Sequence, residues 1–219
     1  ELRVVTVRCH GELVLVWPLA VERTPFGRTA SWAGDPIGQY GDVVAPESTM
    51  REAWIDAAFA EIGRWDDVDF LCLRGVRADG AIAAWAARKG REIGPASEAP
   101  SFDAAPFGNE QAFEAAHYAY MGAFSPAFAK HGPGVLATEF TIRDCLAAGL
   151  SEYDPLPPVS EYKLAWSNRR VAVRDYGVVL SWSGYAALAS AAFIRPAAKW
   201  LYEKLPLTVR RRLRFLSIK

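Results

Sequence analysis

Cysteine is scarce. The 219 residues hold three, Cys9, Cys72 and Cys145. The number is odd and no two lie close together, which excludes a disulfide framework and a clustered zinc site. Each is flanked by apolar residues, the pattern of a reduced, buried thiol. Net charge is absent too, with 25 Lys and Arg against 25 Asp and Glu. Bulk composition therefore points to neither nucleic acid nor an acidic partner. No apolar run approaches the ~18 residues of a membrane span, and no signal-peptide pattern is visible. The default expectation is a cytoplasmic protein. Internal repeats and low-complexity tracts are also lacking. The chain opens at Glu1 without Met, already inside a strand-like run, so these residues are expected to be less than the whole natural product.

The sequence is otherwise that of an ordinary globular chain. Hydrophobic residues make up 51% and charged residues 23%, which excludes disorder. Eight Trp, eight Tyr and eleven Phe supply large side chains for a core or a pocket.

Leu2 to Cys9 and Glu12 to Ala20 are Val- and Leu-rich runs around His10-Gly11, which reads as a β-hairpin. Phe26 to Pro46 reads as loop, punctuated by Gly27, Gly34, Gly38 and Gly41. Thr49 to Glu52 has the capping-box pattern. The helix it opens carries Trp54, Ala58 and Ile62 on one face, with Ile55 and Phe59 beside them. Val68 to Leu73 is a short buried strand, and Asp79 is placed to cap a helix ending at Gly90. The first part of the chain thus reads β-β-α-β-α. Residues 91–110 are rich in Pro, Gly, Ala and Ser. They suggest a division into an N-terminal half (1–95), a linker or site of a missing segment (96–110), and a C-terminal half (111–219) with a basic tail.

The second half opens with the aromatic, strand-like Ala112 to Phe124. Gly132-Pro133-Gly134 then leads into a helix over Val135 to Ala148. Leu136, Phe140 and Ala147 share its apolar face, flanked by Val135, Ile142 and Leu146, and Glu139 and Arg143 form an i,i+4 pair on the wet side. Gly149 stops the helix, and Leu150 to Pro155 is a strand. Arg170 to Trp182 reads as a hairpin turning near Asp175 to Gly177. A last helix covers Tyr185 to Lys204, interrupted at Pro196.

A glycine turn feeding a helix is either a plain connection or an anion seat, because the first helical amides lack intrahelical partners. Here the amides of Val135, Leu136 and Ala137 are the ones expected to be free. The turn is not a Walker loop, since no Gly-Lys-Ser/Thr follows. Nor does its spacing make a dinucleotide fingerprint.

The ordered set Tyr118-Ala119-Tyr120, Phe124-Ser125-Pro126, Gly132-Pro133-Gly134, Gly149, Tyr153-Asp154 and Tyr162-Lys163 resembles the CelD-like acetyltransferases associated with bacterial cellulose biosynthesis. These belong to the GNAT superfamily and are similar to Fem-type aminoacyl transferases. The stretch from Gly11 to Val44 also resembles that family's N-terminal half. The resemblance implies an α/β (α+β) fold, a GNAT-like mixed sheet flanked by helices, in tandem or partial tandem units. It implies acetyl-CoA or another acyl-CoA as co-substrate, no metal, and an amine or hydroxyl of a sugar or exopolysaccharide-related acceptor. His131, Gly132, Pro133, Gly134, Val135, Leu136 and Tyr120 then fall at the acyl-CoA site. His131-Gly-Pro-Gly stands where GNAT proteins usually carry an Arg/Gln-x-x-Gly-x-Gly/Ala loop. The strand at Ala112 follows the expected linker almost at once, so the resemblance also implies a segment missing near 107–111.

Acyl transfer needs an activated nucleophile, a stabilised oxyanion and a protonated leaving thiolate. By the resemblance, Lys163 stabilises the oxyanion; otherwise it is a solvated lysine. Tyr162 protonates the thiolate or is a packing residue. Asp154 is a general base, orients one, or starts the Tyr-Asp-Pro turn. His117 and His131 are the imidazoles near the motif, and His131 either touches phosphate or is simply exposed. The tail from Lys204 holds Arg210, Arg211, Arg212, Arg214 and Lys219 with no acid. It is suited to an anionic membrane surface or a polysaccharide-synthase partner, or to packing on the body with a solvated basic face. Two other functions compete: Fem-type transfer to a cell-wall precursor, and a non-catalytic scaffold. The former calls for a basic groove for RNA, and the confinement of basic clusters to the tail argues against nucleic acid.

Overall fold

The computed structural model describes residues 1–103, 113–118 and 133–206. It holds two compact units. One is Glu1–Ala96 with the segment from Arg174 onward, and the other is Ser97–Val173.

The first unit is built on a meander. β1 (Leu2–Cys9) and β2 (Glu12–Thr24) pair antiparallel. The turn between them holds His10 and Gly11, both at positive φ, as a two-residue hairpin requires. β3 (Gly27–Trp32) continues antiparallel on β2, inside the stretch expected to be loop. Its alternation is short, but Ala30 and Trp32 are buried, and burial outweighs the flanking glycines. β4 (Phe70–Arg77) then lies parallel to β3.

α1 (Arg51–Ile62) buries Ala58 and Ile62 of the expected face with Ile55 beside them, while Trp54 and Phe59 are only partly buried against the core. It begins at Met50 rather than Thr49, without a side-chain cap, so the capping box is not formed. The Ser48 hydroxyl accepts from the amide of Met50 in the turn before it. α2 (Ala83–Lys89) ends at Gly90 as expected, but its orphan amides are not served by Asp79, which pairs with Arg77. Asp42, distant in sequence, accepts the amides of Ala81, Ile82 and Val43 at 2.7–2.9 Å. Burial pushes its carboxyl up, with those three amides opposing. Both helices pack on one face of the sheet around Trp17, whose ring lies 5.6 Å from Trp85 and 6.1 Å from Trp32.

The residues read as linker carry β5 (Arg91–Glu92) and β6 (Ser97–Asp103); 104–112 lie outside the described residues. The expected hairpin at Arg170 to Trp182 is instead one strand, β9 (Arg169–Val179). Gly177 is there for clearance and not for a turn, since a Cβ would sit 2.5 Å from the Phe70 ring. β5 pairs with its Gly177 end and β6 with its Arg169 end. The last helical segment is α5 (Gly184–Ala189), a π turn over Ser190–Ile194, and α6 (Arg195–Lys204). The interruption expected at Pro196 is that π turn, which accommodates a residue with no N–H to offer the preceding turn. α5 and the π turn cover the opposite sheet face with Ala187 and Ala191, over Phe70, Cys72 and Ile93. The basic tail beyond Pro206 lies outside the described residues.

In the second unit, β7 (Phe113–Tyr118) and β8 (Leu150–Asp154) are parallel, joined through α3 (Pro133–Ala147), and β8 pairs antiparallel with β6. Parallel and antiparallel pairs with flanking helices give the mixed α/β architecture expected.

α3 buries Thr138, Ile142 and Cys145, at i, i+4 and i+7, against Tyr153 of β8. Phe140, expected on that face, is 61% exposed. The Glu139–Arg143 pair forms at 2.5 Å. Cys72 and Cys145 are buried and in no disulfide, while Cys9 is only half-buried.

Candidate active site

The second unit contains a strand–helix–strand crossover with parallel strands. In such a unit the C-terminal ends of the strands and the N-terminus of the connecting helix lie at one end, where open α/β sheets bind ligands. Tyr118 pairs with Asp154 at the last position of both strands. The sequence-expected site residues that the structure describes collect at that end.

α3 begins at Pro133, two residues before the expected start. Proline fits the first helical position because it has no amide to leave unpaired. Gly134 and Val135 therefore fall in the first turn, where amides lack intrahelical acceptors. Ala137, one full turn in, has the carbonyl of Pro133 as its i−4 acceptor, so its amide is not among the free ones. For residues 133–136 and 113–118 the backbone alone is described. Tyr120, His131 and Gly132 lie outside the described residues.

After β8 the chain makes a tight turn held by two side chains. Asp154 is 0% exposed, and its Oδ1 accepts the amide of Leu156 at 2.6 Å. Leu156 sits at φ 64, a conformation that costs a branched residue ~1–2 kcal/mol. Lys163 grips the same residue from the other side, its Nζ donating to the Leu156 carbonyl at 2.7 Å. Asp154 and Lys163 thus hold one strained residue between them, through the peptide groups on either side of it. Burial pulls the Lys163 ammonium below the ordinary lysine range, and the negative charge of Asp154 opposes that shift.

α4 (Glu161–Ala165) carries Tyr162 and Lys163. Tyr162 is 45% exposed, and its phenol is hydrogen-bonded to the hydroxyl of Thr138. Thr138 also bonds Tyr153. Burial pushes the Tyr153 phenol up, the nearby Tyr162 adds to the shift, and the Thr138 hydroxyl opposes it. Thr138 therefore joins two phenols, one buried and one facing solvent.

The structure brings Asp154, Tyr162 and Lys163 to one place and adds Thr138 and Tyr153, which sequence reasoning gave no role. The signal for Thr138 was there: a polar residue in the stripe Thr138–Ile142–Cys145 must find a hydrogen-bond partner once buried. Asp154 is too enclosed to touch an acceptor directly, and its geometry is that of a positioning group. The half-exposed Tyr162 can give a proton to a group bound beside it. The Lys163 ammonium has three N–H groups and gives one to Leu156, leaving donors for an oxyanion. Among the described residues, no group of three or more His, Cys, Asp or Glu is placed to hold a metal ion.

Residues 112–164 match the family model described as an acetyltransferase (GNAT) domain. The match covers about a quarter of the chain and takes in β7, α3, β8, Tyr162 and Lys163. It supports the GNAT superfamily without singling out its CelD-like or Fem-type groups. No curated protein and no solved structure matches the chain.

Proposed function

We propose that the protein is a GNAT-type acyltransferase that moves an acetyl or related acyl group from acyl-CoA to an amine or hydroxyl, with a sugar or exopolysaccharide precursor as acceptor. The observation that carries it is the convergence of a helix N-terminus with Tyr162 and Lys163 at the ends of two parallel strands, inside the segment similar to GNAT domains. The saccharide class of acceptor comes from the resemblance to cellulose-associated acetyltransferases.

Acyl-CoA supplies an activated thioester carbonyl. The amides of Gly134 and Val135, with the dipole of the 15-residue α3, suit the diphosphate, and His131, Gly132, Leu136 and Tyr120 are assigned to the same site. Lys163 donates to the oxygen that becomes negative as the acceptor attacks. Tyr162 gives its proton to the departing thiolate and regains one through Thr138 or solvent. Asp154 keeps the Lys163 amine charged and in place. The new C–N or C–O bond forms as the C–S bond breaks, and the acceptor proton leaves to solvent.

Gly134→Asp tests this reading by titration calorimetry with acetyl-CoA. A carboxylate in the first helical turn favours the helix by ~0.3–1 kcal/mol but repels a diphosphate. The expected result is an equal or higher Tm with acetyl-CoA binding weakened at least tenfold. Unchanged affinity, or no binding by the unsubstituted protein at high micromolar concentration, would overturn it.

A further inference from the structure

The helical segment after β9 is inverted. Amphipathic helices normally bury their large apolar residues. Here α5 and the π turn bury the small Ala187 and Ala191 against the sheet. Of the large residues only Leu188 packs partly against that face; the others face outward: Trp182 is 90% exposed and Phe193 74%, and Tyr185, Ile194, Trp200 and Leu201 are exposed as well. Trp182 and Tyr185 lie against each other, ring centroids 5.9 Å apart. Phe193, Ala197, Trp200 and Lys204 follow at helical spacing, and the Lys204 ammonium sits 4.0 Å from the Trp200 ring centroid. So many large apolar residues left exposed along one segment of a folded protein mark a docking surface.

Charge says what docks there. The zero net charge conceals a strong asymmetry. Residues 195–219 contain eight Lys and Arg and one acid, Glu203, so residues 1–194 hold the other seventeen basic and twenty-four acidic residues. The last 25 residues thus carry a net charge of +7 and the remainder −7. An aromatic and aliphatic face continuous in sequence with concentrated positive charge matches a surface that is apolar below and anionic above. Trp and Tyr are the residues favoured at that boundary, and no described helix is long and apolar enough to cross it.

We propose that the outward face of α5 and α6, together with the basic residues that follow, binds an anionic lipid bilayer peripherally. Residues 1–194, with their excess of acid, are repelled from the same surface, which favours docking through the C-terminal segment. The consequence for the protein is confinement to a membrane face, where an acceptor carried on a lipid or handled by a membrane-bound enzyme is concentrated.

Vesicle co-sedimentation of the full chain tests this, comparing phosphatidylcholine alone with phosphatidylcholine containing phosphatidylserine. Binding is expected with the anionic vesicles, weakening as salt rises. Trp200→Ser with Leu201→Ser, and separately Arg210→Gln, Arg211→Gln and Arg212→Gln together, are each expected to reduce it. The triple change should cost roughly a hundredfold, at about fivefold per charge. None of these residues is among those assigned to acyl-CoA, so acetyl-CoA binding should be the same in both variants as in the parent. Three results would overturn the proposal: no sedimentation with anionic vesicles, sedimentation unaffected by the Trp200 and Leu201 changes, or a dimer in sedimentation velocity that those changes dissolve. The last would assign the face to a second copy of the chain.

Discussion

Replacing Lys163 with Met removes a charge that serves both the turn and the proposed chemistry, and the structure sets the size of the effect. Two losses combine. A hydrogen bond from a charged donor to the Leu156 carbonyl is lost, worth ~1.5–3 kcal/mol. Asp154, fully buried, also loses a compensating positive charge. Removing one partner of a fully buried pair costs ~3–5 kcal/mol. Lys163 is only half-buried, so that figure is an upper bound, and a total of ~2–3 kcal/mol is expected near neutral pH. Asp154→Asn keeps an acceptor for the Leu156 amide, so the double variant should recover ~1–2 kcal/mol relative to additivity. Urea denaturation followed by circular dichroism near neutral pH measures both. A Lys163→Met cost under ~0.5 kcal/mol, or strictly additive single changes, would refute the coupling.

Other outcomes follow from the same geometry. The parent protein should gain stability as pH rises through the window between the lowered folded pKa of Lys163 and the ordinary lysine value, because the unfolded chain binds more protons there; the gain should vanish in Lys163→Met. Thr138→Val removes a hydrogen-bond partner of the buried Tyr153 and of Tyr162, so a loss of ~1–3 kcal/mol and a reduced kcat are expected, and unchanged kcat would remove Thr138 from the relay. Asp42→Ala frees three amides, so α2 should lose hydrogen-exchange protection and the protein ~1–2 kcal/mol. Gly177→Ala forces a methyl into the Phe70 ring and should lower stability by ~1–3 kcal/mol; a neutral effect would mean that the ring moves aside freely.

The sequence showed local features well and distant partners poorly. The His10-Gly11 hairpin, the buried face of α1, the Glu139–Arg143 pair and the strand at Leu150 were all legible because each depends on neighbours within one or two turns. The cap of α2 was not, since Asp42 reaches it from an earlier loop and the nearby Asp79 is drawn to Arg77. Asp175 to Gly177 looked like a turn, yet the glycine answers to Phe70, far away in sequence. The clustering of Asp154, Tyr162 and Lys163 could be expected from their proximity in the chain. Thr138 could not be placed without knowing that β8 lays Tyr153 against α3. The reading of Phe140 as core failed because its apolar character outweighed the better-spaced stripe of Thr138, Ile142 and Cys145.

Hydrogen exchange read by mass spectrometry, with and without saturating acetyl-CoA, tests the location of the site directly. Slower exchange is expected in peptides covering 133–138 and 154–163, which carry the first helical turn and the Leu156 clamp. Saturable binding that protects only peptides within 1–96, leaving both of those segments unchanged, would contradict it.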